Sequence, residues 1–119
     1  MIRNGLGKHK IMIVNRFEVW LVSLDPTQGS EISKTRPCLI ISPDDANKYL
    51  KTVLVAPLTH TRKSFPTRVN CEFAGQDGQV ALDQMRAVDK DSRLIKKVGT
   101  LENVACEQVC KTLEEMFKY

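Results

Sequence analysis

Aromatic residues make up only 6% of this 119-residue chain, with one tryptophan and two histidines. A barrel that holds single-stranded nucleic acid by base stacking needs several exposed aromatics, and here most of them sit in apolar runs. No apolar stretch approaches the roughly 18 residues of a membrane helix. The basic start offers only Ile11 to Val14 as an apolar run, too short for a secretory signal, so a cytoplasmic location and no membrane contact are expected. The sequence has no Gly-rich phosphate loop, no paired zinc-binding histidines and no His/Cys cluster, so neither cofactor nor metal is expected. The four cysteines are not a disulfide framework. Cys38 and Cys71 fall in strand-like runs, where cysteine acts as a small apolar residue. Cys106 and Cys110 stand four apart without a second ligand pair at zinc spacing, which suits free thiols in a reducing compartment.

What is present is an ordinary globular composition, 42% hydrophobic and 27% charged, at a length that supports one core. The net charge of +4 is unevenly placed. Arg3, Lys8 and Lys10 make residues 1–15 basic without a single acid, and nine Lys/Arg face five Asp/Glu over residues 51–99. A basic middle suits a polyanionic partner. Residues 1–15 lack periodicity and read as a basic, flexible tail; 16–119 read as one domain.

Arg16 to Leu24 is rich in β-branched and aromatic residues, with apolar side chains on both parities. It predicts a strand buried on much of both faces. Cys38 to Ser42 and Thr52 to Leu58 are further buried strands, with one helical turn capped by Asp44 between them. Thr67 to Phe73 alternates cleanly. Gly75-Gln76-Asp77-Gly78 reads as a hairpin turn, followed by short strands over Gln79–Gln84 and Met85–Asp89. Leu94 to Val98 is an edge strand, its lysines guarding the edge. From Leu101 the period becomes 3.6: Leu101, Val104, Ala105, Val109, Leu113, Met116 and Phe117 define the apolar face of a C-terminal helix with Thr100 as N-cap. The expected fold is α+β, mainly β: an SH3-like small barrel of five to seven short strands with a C-terminal amphipathic helix.

Between the first two strands lies the polar stretch Asp25 to Pro37. It opens with Asp-Pro turn chemistry and closes with Arg-Pro, where Pro37 forces Arg36 to be extended. Such a loop sets a carboxylate and a guanidinium on the shoulders of two strands, a good place to hold a phosphodiester. A segment of this kind is also expected to fold over a bound strand.

Three ordered motifs run from Glu18-Val-Trp-Leu-Val-Ser-Leu-Asp25-Pro26-Thr27-Gln28-Gly29-Ser30-Glu31, with Arg36-Pro37 after it, through Val55-Ala56-Pro57-Leu58-Thr59, to Val80-Ala81-Leu82-Asp83-Gln84 with Arg86 and Asp89. Together they make the chain resemble the MazF/PemK/Kid family of toxin–antitoxin ribonucleases, from about Arg16 to the C-terminal helix. Phe17 replaces the usual glycine before Glu18. Ala81 stands where the Kid branch has an arginine, so the MazF-like branch fits better.

The resemblance implies the toxin of a toxin–antitoxin module. It would be a metal-independent, sequence-specific endoribonuclease (an mRNA interferase) that cuts single-stranded RNA by 2′-hydroxyl attack, leaving 2′,3′-cyclic phosphate and 5′-hydroxyl ends. It implies a homodimer and a cognate antitoxin whose disordered tail covers the RNA groove, with DNA reached only through the antitoxin. Arg36 and Thr59 are the expected catalytic residues, one for its fork on phosphate oxygens and the other for its hydroxyl. Glu31 and Asp83 are candidates for proton transfer or an orienting role, Glu31 by holding Arg36 and Asp83 with Gln84 by binding a base edge or supporting the loop. Ser30, Thr61, Gln84 and Arg86 are the expected substrate-binding residues. His60 neighbours Thr59 and is read as exposed and incidental. Two other classes compete: a non-catalytic toxin on the same scaffold, of the topoisomerase-binding CcdB type, and a plain single-stranded nucleic-acid-binding barrel.

Overall fold

The structure is a computed structural model that describes residues 12–119. Seven strands alternate with short helices: β1 Glu18–Ser23, β2 Thr35–Ile40, α1 Asp44–Tyr49, β3 Thr52–Thr59, β4 Arg68–Phe73, β5 Gln76–Ala81, a 3-10 turn at Leu82–Gln84, β6 Arg86–Asp89, α2 Lys90–Arg93, β7 Leu94–Thr100 and α3 Asn103–Met116. The sheet runs β4-β5-β3-β2-β1-β7, with β6 joined to β3. The fold is thus α+β and mainly β, as the strand-rich pattern predicts.

Two cores lie on opposite faces of the central strands. On one face Val19, Leu39, Ala56 and Leu58 pack with Val69, Val80 and the helix residues Ala105, Cys106 and Val109. On the other, Trp20, Val22, Leu24, Cys38, Ile40, Val53 and Val55 pack with Val88 and Leu94. The alternation of side chains along a strand therefore feeds two cores from β1, β2 and β3, which is why their sequences are apolar at both parities. The predicted basic tail lies outside the described residues up to position 11. From there the chain joins the domain: Val14 is buried in the second core, and Asn15 donates its backbone N–H and side-chain amide to the Glu18 carboxylate.

Strand β3 is the hub. One edge pairs with β2. The other pairs first with β6, from Thr52↔Asp89 to Val55↔Arg86, and then with β5 at Leu58↔Val80 and Thr59↔Gln79. Pro57, which has no N–H to give a ladder, falls in the gap between those two partners.

Several local expectations shift. The hairpin turn is not Gly75 to Gly78 but the two residues Ala74 and Gly75, both at positive φ (55° and 76°), with Phe73 paired to Gln76. That is the left-handed pair a tight hairpin demands, and it places Gly78 inside β5. Asp44 is the first residue of α1 rather than its cap; Pro43 caps, and Asp44 Oδ1 accepts the Arg16 N–H at 2.7 Å. The C-terminal helix starts at Asn103, with Glu102 rather than Thr100 at the N-cap. Ala105, Val109, Leu113 and Met116 pack inward as the period predicts, but Val104 is 76% exposed, while Cys106 and Thr112 also turn inward. Phe117 leaves the helical conformation at the C-cap and is also exposed.

Candidate active site

The β2–β3 ladder fixes the heart of the site. Cys38 pairs with Pro57 at the end of that ladder, and beyond it Arg36 and Thr59 line one groove. Leu58 and Cys71 of the first core line the same groove. Burial pushes the Cys38 thiol up to about 12, against the pull of the Arg86 and Arg36 guanidiniums. Arg86 arrives from β6, where it pairs with Val55. Its Nη1 donates to the Leu24 carbonyl at 2.9 Å, and Arg36 Nε donates to the Ser33 carbonyl at 3.2 Å. Among the described residues the remaining N–H groups of both forks have no protein acceptor, so they are available to an anion.

A cleft of about 740 Å³ opens beside them, lined by Ser30, Glu31, Asp83, Gln84 and Arg86 with Pro57 and Met85. Arg36 and Thr59 line a smaller groove of about 60 Å³ together with His60 and Gly78. Since Pro57 belongs to the cleft and Thr59 to the groove, two residues apart on one strand, the spaces follow one another along β3. Thr61 lines neither. Its backbone N–H donates to Thr59 Oγ1 at 3.2 Å, and the Thr59 hydroxyl thus keeps its own proton to donate.

The two candidate carboxylates differ. Asp83 takes a two-pronged contact from Arg68, at 2.6 Å from Nε and 3.1 Å from Nη2, and a third bond from the Thr67 hydroxyl at 3.0 Å. The Arg68 hydrogen bonds hold its carboxyl below the usual aspartate value, which makes it a fixed anion. Glu31 accepts the Gln28 N–H on Oε1 at 2.8 Å, and its other oxygen has no donor among the described residues.

The loop between β1 and β2 is tied at several points instead of hanging free. Gln84 Oε1 accepts the Ile32 N–H at 3.1 Å and its Nε2 donates to the Ser30 carbonyl at 3.4 Å. Leu24 N–H donates to the Lys34 carbonyl at 2.9 Å, and Arg93 Nη1 donates to the carbonyls of Ser23 and Asp25. These ties oppose the expected folding-over motion.

Two residues missed in the sequence support Thr59 from behind. Gln79 is 4% exposed. Its Oε1 accepts the Lys63 N–H at 3.0 Å, and its Nε2 donates to the Lys63 carbonyl and to Asn70 Oδ1, each at 2.9 Å. Gly78 lies so close to β3 that a Cβ there would sit 2.6 Å from the Thr59 carbonyl oxygen. A polar side chain heading the apolar run Val80-Ala81-Leu82 is a signal for Gln79; nothing local marks Gly78.

A family model described as PemK-like, MazF-like toxin of type II toxin–antitoxin system matches residues 15–117. The chain belongs to this family. It is 34% identical over 108 residues to the endoribonuclease MazF of Staphylococcus saprophyticus, covering 86% of this chain and 89% of that protein. The fold matches the crystal structure of MazF from Deinococcus radiodurans with a TM-score of 0.80, at 22% identity over 92% of this chain and all of that one. A mycobacterial endoribonuclease solved in complex with its cognate antitoxin matches with a TM-score of 0.72, at 23% identity over 86% of this chain and 92% of that one. This MazF-type toxin therefore carries its Arg36–Thr59 pair and adjoining cleft on the scaffold of its family.

Proposed function

We propose that this MazF-type toxin endoribonuclease cuts single-stranded RNA at short sequences, without a metal ion, at the Arg36–Thr59 pair. The observation that supports this reading is one groove lined by both Arg36, a cationic fork, and Thr59, a hydroxyl donor, near an open cleft lined by Glu31 and Arg86. RNA brings its own nucleophile. Glu31, the carboxylate with an uncommitted oxygen, takes the proton of the 2′-hydroxyl as that oxygen bonds to phosphorus. Arg36 and the Thr59 hydroxyl donate to the non-bridging oxygens as negative charge gathers there. The phosphorus–O5′ bond breaks, and O5′ takes a proton from water in the open cleft, leaving 2′,3′-cyclic phosphate and 5′-hydroxyl ends.

Asp83, as a fixed anion, holds Arg68 and does not transfer protons. Ser30 and Arg86 position the strand, Gln84 acts through its hold on the β1–β2 loop, and Thr61 acts through its N–H on the Thr59 hydroxyl. In the cell the toxin acts in the cytoplasm as a homodimer, and a cognate antitoxin covers the groove with a disordered segment. The test is incubation of the purified protein with a long single-stranded RNA in EDTA, followed by end-group analysis. Discrete fragments with cyclic phosphate ends are expected, and none from Arg36→Ala or Thr59→Ala. Full activity in Arg36→Ala, or no cleavage of any RNA by the wild type, would overturn the assignment.

A further inference from the structure

Phe65 stands out among the aromatics because it is 49% exposed yet built into place. Arg68 lies over its ring at 5.2 Å from the centroid. The Arg68 N–H donates to the Phe65 carbonyl at 3.1 Å, closing a turn with Pro66 at its second position. The Arg68 side chain is only 8% exposed and is locked by its two-pronged contact with Asp83, which itself lines the cleft. The ring is thus one guanidinium removed from the cleft wall. The guanidinium covers one of its faces, which leaves the opposite face as the natural source of its exposure. A rigid aromatic face in water, linked through Arg68 to the Asp83 that lines the cleft, has a specific use: bases stack on it without regard to their hydrogen-bonding edges.

We propose that Phe65 is a stacking platform for one nucleobase of the bound RNA strand, held at its angle by Arg68 and Asp83. This rests on the RNA-cleavage reading of the adjoining cleft. It gives the strand a contact point on the β3–β4 loop, outside the Arg36–Thr59 pair.

The test uses an RNA oligomer spanning a mapped cleavage site, with one 2′-deoxy residue at the cut to block reaction and a fluorescein for anisotropy. A companion series carries a single abasic position at each place in turn. Phe65→Ala should weaken binding of the intact oligomer roughly tenfold, Phe65→Trp should keep it, and Phe65→Leu should recover only part. The loss in Phe65→Ala should vanish for the oligomer abasic at one position, because the base that stacks is then missing from both arms. Equal losses at every abasic position would mean a general structural effect and overturn the platform. So would unchanged RNA binding, including the case where Phe65→Ala weakens only inhibition by the antitoxin and the residue is a protein contact. A wild type that cuts RNA alongside a Phe65→Ala variant that binds every oligomer equally well removes the platform and leaves the cleavage reading standing. A wild type that cuts no RNA removes both.

Discussion

Two loops frame the Arg36–Thr59 pair, and they are held in opposite ways. The β1–β2 loop is tied from outside by the long side chains of Gln84, Arg86 and Arg93, each reaching over to backbone groups at a different point. The β3–β4 loop hangs mainly on one buried side chain, Gln79, and on the bare backbone of Gly78 pressed against Thr59. The first arrangement is redundant: losing one tie leaves the others. The second is concentrated, and a buried donor or acceptor left without a partner costs more than an exposed one. The β3–β4 loop should therefore be much the more sensitive to single substitutions, although the β1–β2 loop is the longer and more polar of the two.

The largest expected effect comes from Gly78→Ala. The obstructing atom is a backbone oxygen that cannot swing aside, so β5 and β3 must part. A stability loss of about 1–3 kcal/mol is expected, and displacement of Thr59 should lower kcat/KM by roughly 100-fold. Unfolding curves and steady-state cleavage measure the two effects; a Gly78→Ala protein with wild-type kcat/KM would break the comparison. Gln79→Leu comes next. It leaves Lys63 N–H, Lys63 C=O and Asn70 Oδ1 to water, since both residues are exposed, at a cost of about 1 kcal/mol, and cleavage should fall roughly tenfold. Amide exchange at Lys63 should accelerate while exchange at Ile32 stays slow.

Gln84→Ala should show the reverse exchange pattern. Its stability loss should stay below about 1 kcal/mol, since the Arg86 and Arg93 ties and the Leu24–Lys34 backbone bond remain. A larger loss than in Gln79→Leu would contradict the distinction between redundant and concentrated support. The smallest effect is one that both loops share. Asp83 adjoins Gln84 in the chain and grips Arg68 at the base of the β3–β4 loop. Its folded carboxyl lies below the unfolded value because of Arg68, so the unfolded chain takes up the proton first as the medium turns acid. The stabilisation is complete above about pH 4 and disappears as pH falls through the lowered folded value. Denaturation from pH 7 to 2 should show a shallower acid limb in Asp83→Asn than in the wild type.

Much of this was legible in the chain. Apolar residues at both parities of β1 announce two cores, and Val19 and Trp20 are buried in different ones. Phe17, which replaces the glycine that the resemblance leads one to expect, has a left-handed backbone at φ 70°, with Arg16 over its ring at 5.1 Å. The polar stretch from Asp25 to Pro37 and the Val-Ala-Pro-Leu-Thr strand point to Arg36 and Thr59, but only the fold brings them to one groove. What stayed hidden depended on long-range contact. The period finds the inner face of α3 at Ala105, Val109, Leu113 and Met116, but at the helix ends Val104 and Phe117 lie outward. The hairpin could be counted from either Gly75 or Gly78, and the choice moves Gly78 from a turn into the strand behind Thr59. Gln79 is one polar residue at the head of an apolar run, and its partner Lys63 is sixteen residues away.

The central claim is that Arg36 and Thr59 act on one phosphate from opposite strands. A double-mutant cycle on kcat/KM for a defined RNA, using Arg36→Ala, Thr59→Ala and the double variant with folding checked by circular dichroism, tests it most directly. Groups that serve the same transition-state charge are not additive, so the double variant should be hardly worse than the poorer single one. Losses that simply multiply would mean that the two residues work on separate events, and would contradict the account.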